Sequence, residues 1–420
     1  MSEDEKLVFK RELEVNELFN EIQTPEIKVI IGLRRAGKSY LLNTLFRKKL
    51  LDNGYTSKCI LDMDLSAEFS EIRSPESLKK AILENVTSNT KFLFIDEVQL
   101  SGEGYADVLI SFAKTHKNIS VYVTGSNSKT LSDDIRKAFK KNAKRIFLKP
   151  LPYSVVKEVL PDYSVEDYFE YGSLPIVLKK PKSERLSFLK ELYTDTYLSD
   201  IKERFVSTYL SDQEKENIVE NILSNITTPL SEIEIIKKIT AHHKLGKKET
   251  HELKAEILNF IDTAIASFLL LDFNDGKNYP ERTPKDYLNH NIKKYCFDLG
   301  ILNVISTAKL FDKNSDIFEN AIYLELLAKG INSKGFAITK LDENPGLIDF
   351  TFEKNEKKIF IQVAVSLNEG NRSREIGNLL AVSEESIRIV IYKNSMLLAP
   401  VPESIKLVSV NDFLSKCMFN

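Results

Sequence analysis

Residues 28–42 read KVIIGLRRAGKSYLL, and the rest of the chain is organised around them. Four strand-type residues, 28–31, run into Gly32, and residues 32–39 spell G-x-x-x-x-G-K-S. That is the spacing of a phosphate-binding P-loop. Gly32 and Gly37 allow backbone conformations that a side chain would hinder, so successive N–H groups can turn inward around a phosphate chain. The apolar run after Gly37, with leucines at 41, 42, 45 and 50 and a stop at Gly54, has helical spacing. Its positive N-terminal end adds to the attraction for an anion. The candidate nucleotide-binding set is therefore Gly32, Leu33, Arg34, Arg35, Ala36, Gly37, Lys38, Ser39 and Tyr40. In this motif Lys38 reaches the β- and γ-phosphates and the Ser39 hydroxyl ligates Mg²⁺.

Outward from that stretch, strands and helices alternate. Residues 58–63 (KCILDM) read as a strand, 76–89 as a helix, 91–95 as a buried-type strand, 104–117 as a helix and 119–124 as another strand. Such alternation predicts a parallel sheet with helices on both faces, its ligand at the carboxyl ends of the strands. The strand at 91–95 ends in Asp96-Glu97. An acid after four apolar residues is the Walker B pattern, with Asp96 holding Mg²⁺ and Glu97 placed to take a proton from the attacking water. The strand at 119–124 runs into TGSNS, where Ser126 or Asn127 is positioned to sense the γ-phosphate. Residues 1–24 read as a polar helix leading to Pro25.

Four segments together carry a family resemblance: GLRRAGKS at 32–39, FIDEVQ at 94–99, VTGSNS at 123–128 and PLPYS at 150–154. They resemble a large prokaryotic family of AAA+-class P-loop ATPases whose C-terminal domain is largely uncharacterised. The resemblance implies a five-stranded AAA-type core, ATP as the nucleotide and Glu97 as catalytic base; Arg34 and Arg35 are a recurrent feature of the family. Relatives carry Gly-Arg shortly before the Pro-Leu pair, a candidate arginine finger, and those positions fall here on Lys141 and Asn142. Arg136 and Arg145 are the candidate substitutes. They bound RKAFKKNAKR at 136–145, which at helical spacing aligns Arg136, Lys140 and Lys144 on one face. The resemblance continues in YGSLP at 171–175 and in KKYCFDLG at 293–300.

Composition sets the limits. A chain of 420 residues suggests two or three domains. The near balance of 59 basic and 61 acidic residues confines any nucleic-acid surface to a local patch. Cys59, Cys296 and Cys417 have neither metal-ligand nor disulfide spacing, which points to a reducing cytoplasm. The charged start is unlike a signal peptide, and no apolar run has the roughly 18 residues a membrane helix needs.

The expected division is residues 1–152, an AAA-type ATPase core; 153–289, a helical and winged-helix region; and 290–420, a third domain. Within the middle segment three helices, at 217–225, 231–243 and 249–267, precede a strand at 268–273, a winged-helix outline. The third helix is poor in basic residues after Lys254, which favours a partner-binding role over groove reading. The last segment places a helix at 318–330 before strands at 337–340, 348–352 and 359–365. That order resembles the restriction-endonuclease-like PD-(D/E)xK fold, in which two carboxylates hold Mg²⁺ and a lysine assists the attacking water. The candidate site is Glu325, Asp349 and Gln362, but Ala364 stands where the lysine belongs, so a degenerate, inactive site is expected; Lys340 is a possible substitute. Taken together, the sequence predicts an α/β chain that binds and hydrolyses ATP with Mg²⁺ and couples this to a C-terminal module contacting DNA or a protein. Alternatives are an ATP-held switch with negligible turnover and an ATP-regulated endonuclease. Oligomeric state and partner are not readable.

Overall fold

The computed structural model describes residues 7–125, 139–227, 232–243, 245–267, 269–272, 293–305, 314–338, 346–397 and 400–416. The chain divides into two compact units, one made mainly of Val8–Lys149, the other mainly of Pro150–Asn420.

The first unit is built on five strands: β1 (Ile27–Ile31), β2 (Ile60–Asp64), β3 (Phe92–Asp96), β4 (Ser120–Thr124) and β5 (Ala143–Phe147). Their order in the sheet is β2-β3-β4-β1-β5, and every pair is parallel. Strands β1, β3 and β4 are buried along their whole length, which explains why their sequences are largely apolar and do not alternate with exposed polar residues. Phe46, Phe94 and Tyr122 pack against one another, with ring centroids 4.8 Å apart for Phe46 and Tyr122. Between β2 and β3 lies helix Pro75–Asn85, entered through a Ser74–Ser77 capping box with Pro75 in the first turn.

Two expectations for this unit are corrected. The amino-terminal helix spans Glu12–Asn20 and is not merely polar: Leu18 is buried, and the Leu18 carbonyl accepts a bond from the Tyr122 hydroxyl at 3.2 Å. The basic run at 136–145 does not continue as a helix; Lys144 and Arg145 lie on β5, opposite Lys28 and Val29. β-sheet pairing outweighs the helical spacing there, because the strand that completes the sheet must begin at Ala143.

The second unit opens with short helices, Tyr153–Val159, Val165–Tyr171 and Pro175–Leu178. Gly172 separates the last two with φ +72°, and a Cβ there would lie 2.2 Å from the Asp298 carboxylate. No other residue fits this close approach. Asp298 is the anchor: its carboxylate accepts from the N–H groups of Ser173 (2.7 Å), Gly300 (3.0 Å) and Ile301 (3.2 Å). Further on come helices Asp212–Leu223, Glu232–Thr240 and Lys247–Ala266, then β6 (Leu270–Asp272) paired antiparallel with β7 (Lys294–Cys296). The first of these helices starts five residues earlier than its apolar spacing suggests, because Ser211 and Glu214 form a capping box.

Helix Asn314–Ala328 leads into a second sheet of β8 (Lys334–Ile338), β9 (Gly346–Lys354), β10 (Lys357–Asn368), β11 (Ile387–Met396) and β12 (Ile405–Ser409). Its order is β12-β11-β10-β9-β8, antiparallel from β8 to β10 and parallel from β10 to β12. Asn355 and Glu356, with φ of +50° and +62°, make the tight two-residue turn between β9 and β10. The boundary expected between 289 and 290 is bridged by structure: β7 pairs with β6, Asp298 binds Ser173, and Glu325 binds Tyr153.

Candidate nucleotide site

Strand β1 delivers the chain to Gly32, whose φ of +147° and close approach to Leu148 leave no room for a side chain. The Leu148 N–H donates to the Ile31 carbonyl at 2.8 Å, so the loop begins pinned against the exit of β5. Arg35 (φ +61°) and Gly37 (φ +102°) then take left-handed conformations, which wind the backbone into a cup. Leu33 and Ala36 are buried beneath it and Arg35 is exposed. A helix follows without a break through Lys38–Tyr40, Leu41–Phe46 and Arg47–Asp52, its middle stretch wound more widely, in π fashion. Tyr40 is half-buried on its first turn, and that burial raises its phenol pKa. The Lys38 ammonium lies across the cup, donating to the carbonyls of Gly32 (2.9 Å) and Leu33 (3.0 Å).

Strand β3 brings its acids to the mouth of this cup. Asp96 is buried, and burial raises its pKa, opposed by hydrogen bonds from the hydroxyls of Thr124 and Ser39. Ser39 and Asp96, predicted separately as metal ligands, are thus near enough for the Ser39 hydroxyl to ease the charge on the carboxylate. A hydroxyl and a carboxylate are the hard oxygen donors that suit Mg²⁺. Thr124, at the end of β4, also accepts from the Glu97 N–H at 3.2 Å, so one hydroxyl ties β4 to both acids. Glu97 sits at φ +55°, a strained value for a residue with a side chain, and its carboxylate accepts from the Gln99 amide. The structure thus brings together Gly32, Gly37, Lys38, Ser39, Asp96, Glu97 and Thr124. Ser126, Asn127 and Arg136 lie outside the described residues. Lys141 is exposed, and the Asn142 side chain donates to the Phe139 carbonyl at 3.0 Å. Arg145 lies within the sheet on β5.

Residues 24–157 match the family model of an AAA domain. The resemblance to prokaryotic AAA-type P-loop ATPases therefore holds over that stretch. Among curated proteins, the chain is 26% identical to an uncharacterized protein of Haemophilus influenzae, over 92% of this chain and 94% of that one. It is also 26% identical to an uncharacterized protein of Methanocaldococcus jannaschii, over 88% of this chain and 80% of that one. Solved structures that resemble it include the Walker-type ATPase of Pyrococcus abyssi, at 15% identity and TM-score 0.47, covering 71% of this chain and 96% of that one. The Thermotoga maritima RuvB Holliday junction branch migration motor matches at 16% identity and TM-score 0.28, covering 60% and 87%. Among the described residues no helix is long and apolar enough to cross a membrane.

Beyond the stretch that matches the AAA model, another cluster of charges lies beside the second sheet. Lys293 donates to Glu319 at 2.7 Å and stands 3.6 Å from Asp349; the Tyr295 hydroxyl also donates to Glu319 at 2.7 Å. Asp349 accepts from the Val363 N–H at 2.9 Å. Burial raises Glu319 to about 7 and raises Asp349 as well. Burial alone would lower Lys293, but the two carboxylates outweigh it and hold its pKa above the usual value. Gln362 is buried near Glu375. Glu325 is not part of this cluster. It is fully buried elsewhere, accepting from the Tyr153 N–H at 3.0 Å and pairing with Lys329 at 3.0 Å. Six residues apart on a helix, Glu319 and Glu325 cannot share a face, since that separation turns the side chain through about 240°. Ala364 packs in an apolar cluster with Ile348, Leu367 and Leu379. Lys340 is outside the described residues.

Proposed function

We propose that this chain binds ATP with Mg²⁺ and hydrolyses it. The observation that carries the reading is the grouping of Ser39 and the hydrogen-bonded pair Thr124 and Asp96 at the mouth of the Gly32–Gly37 cup, with the Lys38 ammonium across it. Ser39 and Asp96 would hold Mg²⁺, which supplies charge neutralisation for the β- and γ-phosphates. Lys38 exchanges its two backbone carbonyls for phosphate oxygens, a change of acceptor that needs only side-chain rotation. Glu97 acts as general base once its carboxylate leaves the Gln99 amide. The test is phosphate release by the wild type, Lys38→Ala and Glu97→Gln. Wild-type turnover with both variants reduced by at least about 100-fold supports the reading; equal release by all three refutes it.

A second reading has its own observation. The bond from Gln99 to Glu97 holds the base in a strained backbone position, as in a protein that binds ATP and turns it over slowly. Tight ATP binding without multiple turnover would favour this switch. In either case we assign the second unit to contact with a protein or nucleic acid rather than to cleavage. What supports this is Lys293 between Glu319 and Asp349, and Ala364 seated among apolar side chains. Absence of Mg²⁺- or Mn²⁺-dependent cleavage of single- and double-stranded DNA is the expected result.

A further inference from the structure

Arg11 stands just before helix Glu12–Asn20, far in sequence from every motif, yet its side chain reaches the nucleotide loop. The residue is only 7% exposed. One guanidinium nitrogen donates to the Ala36 carbonyl at 3.1 Å, and another donates to the Lys149 carbonyl. Beside it, Glu14 accepts from the Lys149 N–H at 3.3 Å. Arg11 and Glu14 therefore hold both polar groups of the Lys149 backbone, and of the two Arg11 also holds the Ala36 carbonyl of the loop.

Burying a guanidinium costs several kcal/mol unless its donors are satisfied. Apolar packing would not require one here, so the contacts it makes define its role. A trans peptide sets its carbonyl and the following N–H in opposite directions. With the Ala36 carbonyl bound to Arg11, the Gly37 N–H is turned to the other side of the chain, toward the inside of the cup. Gly37, at φ +102°, is the last residue before the helix. Without Arg11 this peptide is free to flip, and a flipped peptide would present a carbonyl oxygen to phosphate.

We propose that Arg11 is a positioning residue for the nucleotide: it locks the Ala36–Gly37 peptide so that the loop meets the β-phosphate with a donor. The inference rests on the nucleotide-binding reading of the loop. Its test is the Kd of a fluorescent ADP analogue, mant-ADP, for the wild type, Arg11→Met, Arg11→Lys and Glu14→Gln, with folding followed by far-UV circular dichroism. Methionine keeps the apolar stem and removes the donors. Arg11→Met should weaken binding by about ten-fold, the loss of one charge-assisted bond. Arg11→Lys should recover part of it, because an ammonium lacks the planar fork that spans two carbonyls. Glu14→Gln, which leaves the Ala36 carbonyl held, should bind as the wild type does. If the wild type does not bind mant-ADP, the nucleotide reading itself fails. If the wild type binds and folded Arg11→Met binds equally well, the Arg11 proposal is overturned. It is likewise overturned if Glu14→Gln is as weak as Arg11→Met, since the effect would then be packing around Lys149. Should Arg11→Met not fold, Arg11→Lys decides: weaker binding supports the role and a wild-type Kd overturns it.

Discussion

Replacing Lys293 with methionine tests whether the charge cluster of the second sheet is held together by its own ammonium group. Lys293 lies 2.7 Å from Glu319 and 3.6 Å from Asp349, with all three side chains between 10% and 14% exposed. Removing one partner of such a buried pair costs about 3–5 kcal/mol, because the remaining charge is left without compensation. Tyr295 and the Val363 N–H still serve the two carboxylates, so a cost near the lower end, about 3 kcal/mol at pH 8, is expected. The cost must depend on pH. Glu319 is raised to about 7, so its protonated form is favoured in the fold; its contribution is complete below the unfolded value near 4.5 and is lost as pH rises through 7. Without the ammonium this preference for the proton strengthens by about 1.4 kcal/mol per unit of pKa, and the variant should therefore be closer to wild type at pH 5 than at pH 8. Urea midpoints read by circular dichroism suit the assay, since the chain has no tryptophan. The double variant Lys293→Met/Glu319→Gln should recover about 2 kcal/mol of the single variant's loss at pH 8. Equal costs at pH 5 and pH 8, together with simple additivity in the double variant, would refute the coupling.

Two further outcomes follow from the Asp298 anchor. Burial raises Asp298 to about 6 against the bonds from Ser173, Ile301 and Gly300, so its stabilising contribution is full below about pH 4 and fades as pH rises through 6. In Asp298→Asn that slope should vanish, measured as the wild-type-minus-variant difference in urea midpoint at pH 4.5 and 7, and the amide nitrogen facing a backbone donor should cost about 2 kcal/mol at pH 7. Gly172→Ala would drive a methyl group into the same carboxylate at a backbone angle unsuited to alanine, and should lower the melting temperature by several degrees, about 2–3 kcal/mol.

The first unit was legible because its chemistry is local. The glycines, lysine and serine of the loop are within eight residues of one another, and the buried strand at 92–96 announces itself as an apolar run ending in acids. Helix boundaries were less so. Residues 136–145 have helical charge spacing, yet the demand for a fifth strand overrides it from Ala143 onward. Arg11 was invisible because nothing near it in sequence has phosphate chemistry; its role arises from carbonyls 25 and 138 residues away. The only available signal was a lone arginine beside a helix start, which ordinarily means a solvated side chain.

Around the second sheet, residue types in sequence do not fix which side chains meet. An acid on the helix before the strands was expected, and the helix offers Glu319 and Glu325. Spacing along one helix cannot say which faces the sheet; packing decides, and it gives Glu319 to Asp349 and Glu325 to the Tyr153 backbone. The missing amine at Ala364 was read as a loss, whereas an amine is present from a different element. Lys293 enters just before β7 and places its charge between the two acids. An ammonium in that position pairs with Asp349, which the sequence offers as a candidate site acid, and with Glu319, which it does not.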